Sequence, residues 1–397
     1  MIRTDTSAAP PLALIFAITL TGVMGNSLIS PVLPDLLDDL GISDGGAGLV
    51  VAAIALPGIV VAPLIGVLAD RLGRRAVLVP CLLLFGLAGL AVAAAPNFGV
   101  LLAARFVQGI GAAGLINLAI VIIGDHWEGT RRTTLIGRNA AMLTVGLASF
   151  PLVSGLLAEV VSWRFALAPQ ALGFVVALWA WQRLDPIRPP VAGTVTDQLR
   201  GIGEVIRRPT IVAVLASGVI MFVLVFGVFL STLPLHLERE LGLGSAARGV
   251  MLSIPAVTAS LVAFNLGRIT DRLGRRPVLI GAVSIFVASF TLMGLVPTVA
   301  VVGVACACYG LGEGALVPIL QDTAVTEAPA EHRGAVVAVW VGAVRFGQTL
   351  GPLLAAAVFT ATSTSVALLA GAGLATVLLV MVALGPLGRT PRPTPTP

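Results

Sequence analysis

Apolar residues run along this chain in long blocks separated by short polar breaks. Dividing it at charges and at proline–glycine clusters leaves twelve blocks, roughly residues 11–33, 46–69, 76–95, 98–123, 135–158, 164–182, 210–234, 248–268, 277–296, 298–323, 334–359 and 363–386. A helix needs about 20 apolar residues to cross about 30 Å of hydrocarbon, and the blocks match that length. The first block is too long for a signal-peptide core and reads as a retained span. The longest polar gap, 183–209, carries Arg183, Arg188, Arg200, Arg207 and Arg208 and splits the blocks six and six. The expected organisation is a six-helix bundle over 1–182, a cytoplasmic linker over 183–209, a second bundle over 210–388 and a disordered tail over 389–397.

Composition agrees with a bilayer protein. Hydrophobic residues make up 57% of the chain and charged ones 11%, against roughly a quarter charged in soluble domains. All 24 basic residues are arginine, spread over short loops instead of forming a patch with aromatics, which argues against a nucleic-acid partner. With both ends placed in the cytoplasm, nineteen arginines fall on that side, three (Arg164, Arg239, Arg248) outside, and two (Arg105, Arg345) within spans. That asymmetry is the positive-inside pattern. The outer loop after the first span carries Asp35, Asp38, Asp39 and Asp44 instead. Cys81, Cys306 and Cys308 lie in apolar runs without metal-ligand spacing and read as small buried hydrophobes.

A repeat at an offset of 201 residues runs through the chain. Residues 66–75, GVLADRLGRR, return at 267–276 as GRITDRLGRR. Gly48 pairs with Gly249, Gly109 and Gly111 with Gly310 and Gly312, Gly146 and Pro151 with Gly347 and Pro352. Six spans separate equivalent points, so both copies face the same side. The expected fold is an all-α membrane protein, twelve transmembrane helices in two parallel six-helix bundles related by a pseudo-two-fold axis along the membrane normal.

Those motifs carry a resemblance over nearly the whole chain. GVLADRLGRR resembles the signature loop of the major facilitator superfamily, and GRITDRLGRR its second-half echo. RFVQGIGAAG (105–114) resembles a second signature found in proton-coupled members, and WRF (163–165) a further short feature. Within the superfamily the chain is most similar to the twelve-span drug:proton antiporters. The resemblance implies an ion cluster of Asp70, Arg74 and Asp125; the second-half equivalent of Asp125 is Thr326, which leaves a symmetric cluster open.

The loop residues Gly66, Asp70, Arg71, Gly73, Arg74 and Arg75, with Gly267, Asp271, Arg272, Gly274, Arg275 and Arg276, form a candidate conformational switch. In that reading Gly66 permits close helix approach, Gly73 a tight turn, and the charges a latch that yields as the halves move. The alternative is a topology anchor.

Ionisable residues inside spans are functional candidates by default. Arg105, Gln108 and Ala112 share a face of span 4, and the 201 offset carries that face to Cys306, Tyr309 and Glu313 in span 10, so Arg105, Gln108, Tyr309 and Glu313 are expected to line the cavity. Glu313 and Arg345 sit at similar depth: either Glu313 exchanges a proton with the cavity, or the two form a permanent structural pair. Asp322 reads as an interfacial acid or as a second, weaker proton candidate, and Asn26 and Ser30 as polar cavity contacts, Asn26 equally as a bridge between helices. Pro151 and Gly155 in span 5, with Gly347, Gly351 and Pro352 in span 11, mark expected kinks, although Phe150 stands where the antiporter pattern has glycine.

No phosphate loop, catalytic triad or dinucleotide fingerprint occurs, so no enzyme activity and no cofactor is expected. The expectation is a secondary transporter of the inner membrane exporting a lipophilic or amphiphilic compound against protons. The alternatives are a nutrient symporter, a lipid flippase, and a non-transporting receptor or scaffold. Its partners are then a small molecule, protons and membrane lipid; the oligomeric state stays open, with a monomer favoured.

Overall fold

The computed structural model describes residues 9–185, 209–326 and 333–387. The expected linker and tail fall almost wholly outside them. Twelve helices are long and apolar enough to span a membrane, and we label them in chain order. They are α1 (Leu12–Asp39), α2 (Gly46–Leu72), α3 (Arg74–Ala93), α4 (Phe98–His126), α5 (Gly129–Val160) and α6 (Trp163–Arg183), then α7 (Pro209–Arg239), α8 (Ser245–Leu273), α9 (Arg275–Leu295), α10 (Val299–Thr326), α11 (Val339–Ala361) and α12 (Thr364–Leu384). Among the described residues there are no strands.

Several helices outrun their apolar blocks. The α1 span continues past Pro31 and Pro34 to Asp39, and α5 begins six residues before the expected 135, at Gly129. Charged turns project beyond the hydrocarbon while the backbone stays hydrogen-bonded, so hydropathy alone sets these ends too short. Three spans begin or resume on side-chain caps: Asn97 accepts from the Val100 amide, Ser162 from Phe165 and Ser363 from Val366.

Buried apolar side chains form two cores, one per half. The first is built mainly from residues 14–184, the second from 211–387. Inside each half, α4 and α10 use equivalent glycines against equivalent backbone carbonyls. A Cβ placed at Gly109 would lie 2.2 Å from the Ile54 carbonyl, and one at Gly310 would lie 2.3 Å from that of Pro255, 201 positions on. Gly111 abuts the Cys81 carbonyl and Gly312 that of Ala282, again equivalent positions. Only glycine permits such backbone approach between membrane helices.

The seam between halves repeats this symmetry. A Cβ at Gly48 of α2 would lie 2.4 Å from the Pro352 carbonyl of α11, and one at Gly249 of α8 would lie 2.4 Å from the Pro151 carbonyl of α5. These paired contacts are those a two-fold axis generates. Both lie at the end of the bundle that carries the four aspartates.

Candidate functional site

The aspartate end is locked by charge. Arg248, 1% exposed, pairs with Asp35 across the seam and donates to the Pro31 carbonyl at 2.8 Å and the Leu243 carbonyl at 3.0 Å. Arg239 bonds Asp38 at 2.6 Å and Asp44 at 3.0 Å, also across the seam. Arg164 bonds Asp39 at 3.0 Å within the first half. The three arginines that break the positive-inside pattern are therefore each held by an aspartate from the last turns of α1, Arg239 also by Asp44 in the loop that follows. Ser30 Oγ donates to the Leu230 carbonyl at 2.7 Å, and Glu159 accepts from Ser245 Oγ at 3.1 Å at the start of α8. A carboxylate there suits the positive helix N-terminus.

The arginine-rich end is different. Among the described residues, no hydrogen bond or ion pair crosses the seam there. A Cβ added at Gly66 or at Gly267 would meet nothing within 4 Å, so the close helix approach expected of Gly66 is absent. The reason is geometric: the seam is shut at the aspartate end and open here, and the approach can form only when this end closes. Gly73 and Gly274 do make the expected turns, with φ of 95° and 83° in the left-handed region that favours glycine.

The ion cluster of the first loop is present. Arg74 Nη1 bonds Asp70 at 2.5 Å and Arg74 Nε bonds Asp125 at 2.9 Å, tying α2, α3 and α4 together. In the second half Arg275 pairs with Asp322, not with Thr326. Asp322 precedes Thr326 by one helical turn on the same face of α10, so an arginine reaches it from the equivalent position.

At membrane depth the structure separates the four residues expected to line the cavity. Arg105 has no exposed surface; it donates to the Val50 carbonyl (3.1 Å), the Gly25 carbonyl (2.8 Å), Gln108 Oε1 (3.1 Å) and Asn26 Oδ1 (2.5 Å). Gln108 is equally buried and donates to Gln170 at 2.7 Å. Asn26 is thus a bridge between helices, and Gln170 is a member of this network that the spacing rules did not find. Ser30, buried too, belongs to the seam rather than to a cavity wall. Tyr309 stacks between Phe229 (centroids 4.5 Å apart) and Phe286 (4.6 Å) in the core of the second half, with its hydroxyl unpartnered. Of the four, only Glu313 keeps exposed surface.

Glu313 and Arg345 are not paired among the described residues. Arg345 Nη1 donates to Gln348 at 3.2 Å, and its aliphatic stem lies across the seam against Gly58 of α2, where a Cβ would meet Cδ at 3.2 Å. The permanent structural pair is absent from this conformation.

The expected kinks fall at seam and packing contacts. α5 runs from Gly129 to Val160 through Pro151, whose carbonyl meets Gly249. A Cβ at Gly155 would lie 2.3 Å from the Ser245 carbonyl. Gly347 and Gly351 bring α11 onto α7, with Gly351 against the backbones of Val223 and Gly227. In the first half Phe150 and Asn26 occupy the positions of Gly351 and Gly227, so the two halves do not share this glycine pair.

Two bundles, a shared seam shut at one end, and duplicated arginine loops define a transporter fold. A family model of the Major Facilitator Superfamily matches residues 15–231 and again 215–397, and the chain belongs to that family. It is similar to the bacillibactin exporter of Bacillus subtilis, 26% identical over 87% of this chain and 88% of that protein. It is also similar to the quinolone resistance protein NorA of Staphylococcus aureus, 32% identical over 39% of this chain and 41% of that protein. Among solved structures, a bacterial homologue of the human lysosomal transporter Spinster, inward-facing and unoccupied, superposes with a TM-score of 0.73 at 19% identity over 94% of each chain. The nucleoside transporter NupG gives 0.77 at 13% identity, over 94% of this chain and 99% of that one. These two share the fold. The chain is a multi-pass membrane transporter, not an enzyme, with exporters among its relatives.

Proposed function

We propose that the chain is a proton-coupled exporter of small lipophilic or amphiphilic compounds, working by alternating access in an inner membrane with both termini in the cytoplasm. The observation that carries this reading is Glu313: a carboxyl within a span, partly exposed and with no ion pair among the described residues, in a protein open at one end only. A free intramembrane acid is costly and is retained where a proton must be bound and released. The arginine-rich end is the cytoplasmic one by the positive-inside pattern, so this conformation is inward-open. Two relatives, a bacillibactin exporter and a quinolone resistance protein, support the outward direction.

A pH jump across proteoliposome membranes with a panel of dyes tests the proposal. Wild-type protein moves a dye from the cytoplasmic side to the acidified outer side as protons enter, and Glu313→Gln lowers that flux by at least about tenfold, a loss of about 1.4 kcal/mol in the driven step. Movement of dye and protons in the same direction identifies a symporter instead. Unchanged proton-driven flux in Glu313→Gln removes Glu313 from the coupling.

A further inference from the structure

A groove of about 400 Å³ opens on the outer flank of the first half, between α3 and α6 at their arginine-rich ends. That volume lies within the range of small-molecule sites. Its body is apolar, formed by Val79, Leu83, Phe174 and Leu178 among others, and its mouth is framed by Arg75 and Trp181. Trp181 is 56% exposed, and the Arg75 guanidinium lies 3.9 Å from the centroid of its ring. Arg74, beside it, is neutralised by Asp70 and Asp125, whereas no carboxylate among the described residues pairs with Arg75. Among the described residues its one hydrogen bond is a long one, 3.5 Å, to the Leu184 carbonyl. Pro80, also lining the groove, lacks the N–H that would bond the Ala76 carbonyl.

The repeat separates what is structural from what is not. In the second half Arg276 stands at the position of Arg75 and likewise donates to a helix-end carbonyl, that of Ala383. Clamping the end of the sixth helix of each bundle is therefore the shared role of these arginines. The aromatic pair is not shared: Ala375 and Val382 occupy the positions of Phe174 and Trp181. Clamping does not require a tryptophan face or an apolar trough, so the first half has an additional feature to explain.

We propose that this groove is a binding site for one anionic phospholipid of the inner leaflet, its phosphate on Arg75 and Trp181 and one acyl chain along Val79, Leu83, Phe174 and Leu178. The groove wall is wholly apolar and suits an acyl chain, while the charge that a phosphate needs stands at its edge, on the face of Trp181. An unneutralised guanidinium sits at the headgroup level, an interfacial tryptophan beside it, and hydrocarbon-lined space extends toward the bilayer interior. Basic pockets between membrane helices on the cytoplasmic side hold anionic headgroups by this combination. The leaflet assignment rests on the orientation given under Proposed function; the site itself does not depend on proton coupling.

Native mass spectrometry of the full-length protein tests it, with phosphatidylglycerol and phosphatidylcholine of identical chains presented together. The wild type retains one phosphatidylglycerol in preference to phosphatidylcholine by about fivefold, the discrimination one interfacial arginine supplies. Arg75→Gln abolishes the preference, Arg276→Gln leaves it, and Ala76→Phe, which fills the groove mouth, removes the retained lipid whatever its headgroup. Equal retention of the two lipids by the wild type overturns the proposal. So does a preference that survives Arg75→Gln, or one that Arg276→Gln reduces equally. Melting temperatures of each variant in detergent confirm that folded protein is compared.

Discussion

Arg248 is the residue whose environment is most demanding. It is almost fully buried, yet it holds its charge through Asp35, a second carboxylate, Glu238, at 3.6 Å, and two backbone carbonyls. Removing one partner of a buried pair leaves an uncompensated charge, a cost of about 3–5 kcal/mol in fully buried cases. Asp35 is 33% exposed, and water reaching it brings the expected cost of Asp35→Asn down to about 2 kcal/mol of closed-end stability. That loss is read as faster labelling of a cysteine placed at Ser30 by a membrane-impermeant thiol reagent. Arg248→Met in the Asp35→Asn background should slow the labelling again, since the orphaned charge is then gone. If Asp35→Asn labels no faster than wild type, the ion pairs are not what holds this end shut.

The family resemblance implied the cluster of Asp70, Arg74 and Asp125, and Arg74 does bond both acids. Helical spacing failed for Tyr309, although Tyr309 and Glu313 are one turn apart on α10. Helical spacing fixes the direction of a side chain but not what its neighbours leave open. Phe229 comes from α7 and Phe286 from α9, and only the assembled bundle shows that they cover Tyr309. Gln170 was missed for the same reason: its link to Gln108 joins α6 to α4, and no local pattern marks it.

At the scale of the helices, the twelve spans and the 201-residue repeat were legible because bilayer thickness and glycine packing leave direct marks on a sequence. What was not legible is which glycines face a partner in this state. Gly48 and Gly249 are in contact across the seam, whereas Gly66 and Gly267 face open space. A side chain at the first pair should therefore act oppositely to one at the second. Gly249→Leu forces α8 off α5 and favours opening of the aspartate end, while Gly267→Leu is accommodated here and obstructs closure of the arginine end. Thiol accessibility at Ser30 measures both: labelling rises by about tenfold in Gly249→Leu, matching about 1.4 kcal/mol lost from the closed end, and falls below wild type in Gly267→Leu. The same sign of change in both variants would show that the two ends are not coupled.

For the whole molecule, the two cores and the single seam describe bodies that can tilt against one another without repacking inside. The contacts at the aspartate end are charged and pairwise, and those at the arginine end are unmade. An equilibrium between two such arrangements needs only a few kcal/mol to bias it. The Arg74 and Arg275 clusters brace helices within each half beside the seam. They can therefore transmit closure of the arginine end to the rest of each bundle.

The most direct test of this picture measures two distances at once, by double electron–electron resonance in a cysteine-free background. One spin-label pair is placed at Leu68 and Phe264 on the open end, the other at Ser43 and Glu240 on the shut end. Lowering the pH, or adding a transported dye, should shorten the first distribution as it lengthens the second. Two distributions that stay fixed, or that lengthen together, would contradict a pair of rigid halves rocking about one seam.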